Sequence, residues 1–278
     1  MTFGEKLVDA SAVHGRLCVG IDPHDSLLAA WGLPTSVEGL REFSRICVEA
    51  VSDTVALVKP QVAFYERFGS AGFAVLEETI AELRARGCLV LADAKRGDIG
   101  STMAGYATAW LDPDSPLASD AVTVSPYLGF HSLDPVLELA ERYAKGVFVL
   151  AATSNPEARQ LQDQRDAHGR SISQQIVDQV AAANRVHTDR GDIGNIGVVV
   201  GATLEHPPEL AEIGGPILLP GVGAQGATAR DVSLIAPDNQ FLAFPNVSRA
   251  ILSHGPEIGD LRRSVADNAA GYPGFPRS

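Results

Sequence analysis

Eight short apolar runs, separated by longer amphipathic or polar stretches, constrain the fold of this chain more than any other feature. They are Arg16–Gly20, Ala56–Lys59, Cys88–Ala92, Ala121–Ser125, Val147–Ala151, Ile196–Val200, Ile217–Pro220 and Phe241–Pro245. They are rich in Val, Ile and Leu, and most are bounded by Gly, Pro or Asp, as strands are. Short runs that are apolar throughout indicate strands covered on both faces, and hence a parallel sheet under helices. Between them the periodicity becomes helical. Phe73, Leu76, Ile80 and Leu83 mark a helix over 66–86 that stops at Gly87, and Leu133, Val136, Leu137 and Leu139–Ala140 stripe another over 133–143. Eight βα units in 278 residues predict one (β/α)8 TIM barrel over 1–278. An open doubly wound sheet is the alternative, but no GxGxxG follows the first run. Two segments stand outside the pattern. A polar insertion around 155–173 fits either a lid or a solvated surface insertion, and a Gly/Pro-rich tail, 269–278, is expected on the surface.

The formal net charge is −12, from 22 basic and 34 acidic residues. That argues against nucleic acid as a partner, because phosphate-backbone binding needs a basic face. A small anionic ligand remains open, provided a few cations gather in one pocket against the field of the whole chain. No apolar stretch approaches the ~20 residues of a membrane span, and the N-terminus has no export pattern. Cys18, Cys47 and Cys88 are odd in number and lack metal-ligand spacing, which fits reduced thiols in a cytoplasmic protein. The seven histidines show no paired-ligand spacing and read as surface or capping residues. No metal or cofactor is expected.

In a barrel of this type, chemistry sits at the C-terminal ends of the strands. The third run ends in Asp93-Ala94-Lys95-Arg96-Gly97-Asp98. Side chains alternate along a strand, so Asp93 and Lys95 share the inward face with Leu89 and Leu91 behind them. Lys59 ends the neighbouring run and reaches the same space. Opposite charges at a barrel mouth are costly to bury unless they pair or act on a ligand, so this cluster is either a structural ion-pair network or a reaction site. Gly221, Gly223 and Gly226 follow the seventh run, and Arg249 follows the eighth, in the first turn of a helix. That pairing suits a phosphate group, and the glycines alone suit a tight turn equally.

The segment Asp93-Ala94-Lys95-Arg96-Gly97-Asp98-Ile99-Gly100-Ser101-Thr102 resembles the DxKxxDIxxT signature of the orotidine 5′-phosphate decarboxylase family. Gly20-Ile21-Asp22-Pro23, Val58-Lys59-Pro60-Gln61, Pro220–Gly226 and Ser248-Arg249-Ala250-Ile251 match in family order. Val58–Gln61, Asp93–Thr102 and Ser125–Gly129 resemble the longer, mycobacterial-type bacterial branch of the family. Gly100 stands where a proline is common, and Ser125-Pro126-Tyr127 replaces a histidine-containing segment; neither touches the charged residues. The resemblance implies cofactor-free decarboxylation of orotidine 5′-monophosphate to UMP. Lys95 would be the proton donor to C6, with Asp93 and Lys59 completing a charge network. Asp98, Ile99 and Thr102 would reach the partner's site in a homodimer. Asp22 would bind ribose hydroxyls, Ser154 would read the pyrimidine edge, and Gln225 and Arg249 would hold the 5′-phosphate.

Three rival readings accompany this one. A magnesium-dependent sugar-phosphate decarboxylase or synthase of the same barrel suprafamily shares the aspartate-x-lysine strand. A Schiff-base aldolase would use Lys95 as nucleophile. A non-catalytic phosphate-binding barrel would have no reason to keep four charged residues at two adjacent strand ends.

Overall fold

Each of the eight apolar runs forms one strand of a closed barrel, because every strand has an apolar face toward the axis and another toward the helices. The structure is a computed structural model and describes residues 1–275. The strands are β1 (Cys18–Ile21), β2 (Leu57–Pro60), β3 (Leu89–Arg96), β4 (Ala121–Val124), β5 (Gly146–Ala152), β6 (Ile196–Val200), β7 (Ile217–Pro220) and β8 (Ala243–Val247). All pair in parallel in sequence order, and β1 closes on β8 through Cys18↔Asn246 and Val19↔Val247. The open-sheet alternative is thereby excluded. Among the described residues no helix is long and apolar enough to cross a membrane.

The barrel interior takes one buried side chain from every strand: Cys18, Leu57, Leu91, Ala121, Phe148, Val199, Leu218 and Phe244. Such a packed layer makes the barrel a core, not a pore. Its N-terminal end is plugged by helix α1 (Phe3–His14), whose Phe3 and Leu7 join this inner cluster. Phe3 meets Phe148 edge-on, with ring centroids 6.1 Å apart. A reciprocal cap fixes the start of α1: Thr2 Oγ1 accepts from Glu5 N–H, and the Glu5 carboxylate accepts from Thr2 N–H. Gly146 opens β5 beneath this plug, where a Cβ would lie 2.4 Å from the Phe3 ring. The outward faces, with Val19, Val58, Val90 and Val122 among them, pack in a second, larger cluster with the surrounding helices.

Several details differ from the sequence reading, and the third strand runs on from Ala92 to Arg96. The helix expected over 66–86 is divided into Ala63–Glu66 and Gly69–Ala85, with Gly69 at φ +61° at the break. The one over 133–143 begins at Asp134, after a 3-10 turn at Phe130–Leu133, and Ala144 in the left-handed region ends it. The eighth strand starts two residues late because Gln240–Leu242 forms a 3-10 turn. The first strand starts at Cys18 because Arg16 is committed to the C-terminal segment. Arg16 N–H donates to the Tyr272 carbonyl, and the buried guanidinium donates to the carbonyls of Pro273, Gln240 and Ala243. The tail is therefore not simply a surface strand of chain. Tyr272 is buried and Gly274 packs against Ser11, while residues 276–278 lie outside the described residues.

Candidate active site

Polar side chains replace the apolar inner layer one step nearer the C-terminal ends of the strands. β1 leads to Asp22, β2 carries Lys59 and leads to Gln61, β3 carries Asp93 and Lys95, β4 carries Thr123, and β8 carries Asn246. Asp22, Lys59, Gln61, Asp93, Lys95, Asn246 and Arg249 line one cavity of about 310 Å³. Asp93 continues the inward alternation from Leu91 in the inner cluster, while its pairing with Lys95 depends on the irregular backbone at Lys95.

Asp93 is the centre of the charge network. Its Oδ2 accepts from Lys59 Nζ at 2.9 Å, and its Oδ1 accepts from Lys95 Nζ at 2.6 Å and Thr123 Oγ1 at 2.9 Å. Lys59 Nζ also lies 3.9 Å from Asp22 Oδ1. Asp93 and Lys59 are buried, with relative exposures of 8% and 4%, whereas the Lys95 side chain is 44% exposed and open to the cavity. Burial disfavours the charged form of Asp93. The two ammonium groups outweigh it and hold the carboxyl well below the usual carboxylate range. For Lys59, burial is opposed by Asp93 and Asp22, which keep the ammonium above its ordinary value. Cys18, beneath this layer, is pushed up to about 12 by burial and is a neutral thiol at physiological pH.

Lys95 has φ +48°, a left-handed conformation uncommon outside glycine. It sits in a bulge. Ala92 pairs with Val122 and Arg96 with Val124, so three residues of β3 face Thr123 alone. Bulges of this kind re-aim side chains beside active sites.

The opposite wall of the cavity is the loop after β7. Gly221, Gly223 and Gly226 all have positive φ, at +105°, +74° and +93°. Only glycine adopts such a sequence of conformations without strain. Gln225 in this loop accepts from Ser154 Oγ at 3.3 Å, which joins the ends of β5 and β7. Arg249 begins a helix of only four residues, Arg249–Leu252. The guanidinium, rather than a long helix dipole, is thus the main cationic feature there. Against a chain charge of −12, the cavity gathers Lys59, Lys95 and Arg249.

Two buried acceptors, Asp22 Oδ1 and Gln61 Oε1, have no hydrogen-bond partner. Both residues line the cavity and suit a ligand bearing hydroxyl donors. Asp98, Ile99 and Thr102 are not among the lining residues. The Asp98 carboxylate accepts from the Ile99 N–H, and Ile99 is 62% exposed. The insertion at 155–173 is partly a clasp: Gln162 Oε1 accepts from Thr153 N–H, and Arg159 donates to the Thr153 carbonyl beside Ser154.

Sequence reasoning gave no site role to Thr123, Asn246 and His24, nor to Gln61, which it noted only within the matched Val58–Gln61 segment. Thr123 and Asn246 are lone polar residues at inward positions of otherwise apolar strands, a signal that was readable. His24 is no mere cap, since its ring lies 4.2 Å from that of Phe64 on the cavity wall; nothing in the sequence marks that contact. Among the described residues no three His, Cys, Asp or Glu side chains converge as a metal-ligand set.

Residues 15–263 match the model of the Orotidine 5'-phosphate decarboxylase / HUMPS family. The chain is 73% identical to the orotidine 5′-phosphate decarboxylase of Corynebacterium glutamicum, over 100% of both chains. It is 72% identical to that of Corynebacterium efficiens, over 100% of this chain and 99% of the relative. A crystal structure from Streptomyces avermitilis, 51% identical, superimposes with a TM-score of 0.93 over 97% of this chain and 94% of the other.

Proposed function

The chain belongs to the orotidine 5′-phosphate decarboxylase / HUMPS family, and we propose that its barrel mouth converts orotidine 5′-monophosphate to UMP, in pyrimidine biosynthesis, by protonation from Lys95. The observation that carries this reading is Asp93 held between Lys59 and Lys95 at one end of a cavity whose other end is the Gly221–Gly226 loop and Arg249.

The bond from C6 to the carboxylate breaks, CO2 departs, and its electron pair stays on C6 as a vinyl carbanion with no adjacent sink. Enzymes lower barriers by about 8–23 kcal/mol, and a reaction of this kind needs the upper part of that range. Preorganised charge supplies most of it. The Lys95 ammonium, directed by Asp93, stabilises the developing carbanion and then gives it a proton. Asp93 also faces the departing carboxylate and disfavours it in the ground state. Asp22 and Lys59 take the ribose hydroxyls, which agrees with the unpartnered Asp22 Oδ1. Ser154 reads the pyrimidine edge, while Gln225 and Arg249 hold the phosphate. Binding energy gained at the phosphate orients the reacting centre. The route draws on side chains alone.

Asp98, Ile99 and Thr102 complete the partner's cavity in a homodimer. Support comes from their position outside their own cavity and from exposed apolar side chains after the neighbouring strands β3 and β4, with Ile99 62%, Tyr127 76% and Leu128 54% exposed. Cys18, Cys47 and Cys88 are buried free thiols, which suits a reducing, cytoplasmic setting.

The test is loss of orotidine 5′-monophosphate absorbance with purified protein in EDTA, for the wild type and Lys95→Ala. Wild-type turnover should persist in EDTA. Lys95→Ala should lose nearly all turnover and still bind UMP. Abolition by EDTA, or Lys95→Ala turnover within tenfold of wild type, would remove the reading.

A further inference from the structure

The bulge in β3 leaves one backbone donor without a place in the strand ladder. Asp93, Ala94 and Lys95 face Thr123 alone, so the Lys95 N–H has no main-chain acceptor opposite it. A buried or half-buried amide needs a partner. The Thr123 side chain supplies it: Lys95 N–H donates to Thr123 Oγ1 at 2.9 Å. The same hydroxyl passes its single proton on to Asp93 Oδ1, also at 2.9 Å. Thr123 is 1% exposed and stands on β4, whose main chain is fixed by pairing with β5.

We infer that Thr123 is a positioning residue, whose hydroxyl locks the left-handed backbone of Lys95 and the rotamer of Asp93 into one geometry. The inference rests on the reading of Lys95 as proton donor. Lys95 has a long, half-exposed side chain with several rotatable bonds. Only two features limit where its ammonium points: the Asp93 carboxylate that accepts from it, and the direction in which its Cα leaves the strand. One oxygen atom of Thr123 touches both: it accepts from the Lys95 N–H and holds Asp93 Oδ1, while Lys59 holds the other carboxylate oxygen. A hydroxyl has one donor and two acceptor positions, so it can receive from an amide and give to a carboxylate at once. Valine has the same shape and can do neither.

Removing the hydroxyl should therefore affect orientation at the reacting centre and leave ligand affinity almost unchanged. Misplacement of a reacting group by about 1 Å costs on the order of a hundredfold in rate. For Thr123→Val, kcat should fall at least tenfold, while the KM for orotidine 5′-monophosphate and the Kd for UMP stay within threefold. Thr123→Ser, which restores the oxygen, should recover at least a third of the wild-type kcat. Should Thr123→Val fold poorly by circular dichroism, Thr123→Cys takes its place. It has the connectivity of serine with a larger sulfur atom that is only a weak donor and acceptor, and should show the same kcat loss relative to Thr123→Ser. A folded Thr123→Val with kcat within threefold of wild type would overturn the inference. So would equal losses in Thr123→Val and Thr123→Ser, or a loss carried entirely by KM. Wild-type and Lys95→Ala assays run alongside keep the two ideas apart. If Lys95→Ala stays active, the underlying reading fails. If it is inactive and Thr123→Val is not impaired, only the role of Thr123 fails.

Discussion

Replacing Asp93 with asparagine should destabilise the ligand-free protein, because it keeps the shape and removes the charge on which Lys59 depends. At 2.9 Å and an effective dielectric constant of about 20, the Lys59–Asp93 attraction is about 6 kcal/mol before desolvation. Asp22, at 3.9 Å, offers about 4 kcal/mol on the same basis and stays in place. Lys95 is half in water and contributes little to stability. An asparagine must also turn its N–H toward one of the two ammonium groups. Removing one partner of a buried ion pair costs about 3–5 kcal/mol, because the other charge is left behind. In a chain of 278 residues this corresponds to a fall in Tm of about 6–10 °C. The assay is urea unfolding of wild type, Asp93→Asn, Lys59→Met and the double variant, at one protomer concentration. The double variant should be more stable than Asp93→Asn alone, with a coupling energy of about 2 kcal/mol or more. The pH dependence has a definite sign. Asp93 has a folded pKa below its unfolded value of about 3.9, so its contribution is present above that pH and is lost as pH falls toward the folded value. The wild-type advantage over Asp93→Asn should be flat near neutrality and shrink below about pH 4. Asp93→Asn within 1 kcal/mol of wild type (about a fivefold change in the unfolding constant) would refute the reasoning. A double variant no more stable than Asp93→Asn would do the same.

Arg249→Ala should reduce kcat/KM for orotidine 5′-monophosphate by an order of magnitude or more, about 2 kcal/mol for a charge-assisted bond, and scarcely affect a substrate lacking the phosphate. Equal losses on both substrates would make Arg249 a support of the fold. Asp98→Ala and Lys95→Ala, each nearly inactive alone, should regain about a quarter of wild-type activity when mixed and exchanged. Half of the dimers are then mixed, and each has one intact site of two. Flat activity after demonstrated subunit exchange would place Asp98 in the service of its own chain.

Much of this protein was decided locally and could be read locally. Strands apolar on both faces need helices to cover them, and eight in succession pointed to a barrel, although only the pairing of β1 with β8 excluded an open sheet. Period-two alternation set Asp93 on the inward face with Leu91, and the barrel then brought Lys59 beside it, but where Lys95 points was decided by the bulge. The glycines after β7 were legible because positive φ restricts residue type at each position separately. What sequence could not supply were relations between distant segments. Arg16 looks like the start of a strand until Tyr272 and Pro273 return to it. Helix α1 is an unremarked amphipathic stretch until Phe3 meets Phe148. The partner of Lys95 N–H depends on a bulge, and a bulge is a mismatch between two strands, written in neither. Alternation fixes which way a side chain points. What it meets there, whether ammonium, hydroxyl or orphaned carboxylate oxygen, is decided only when closure brings the strand ends to within hydrogen-bonding distance.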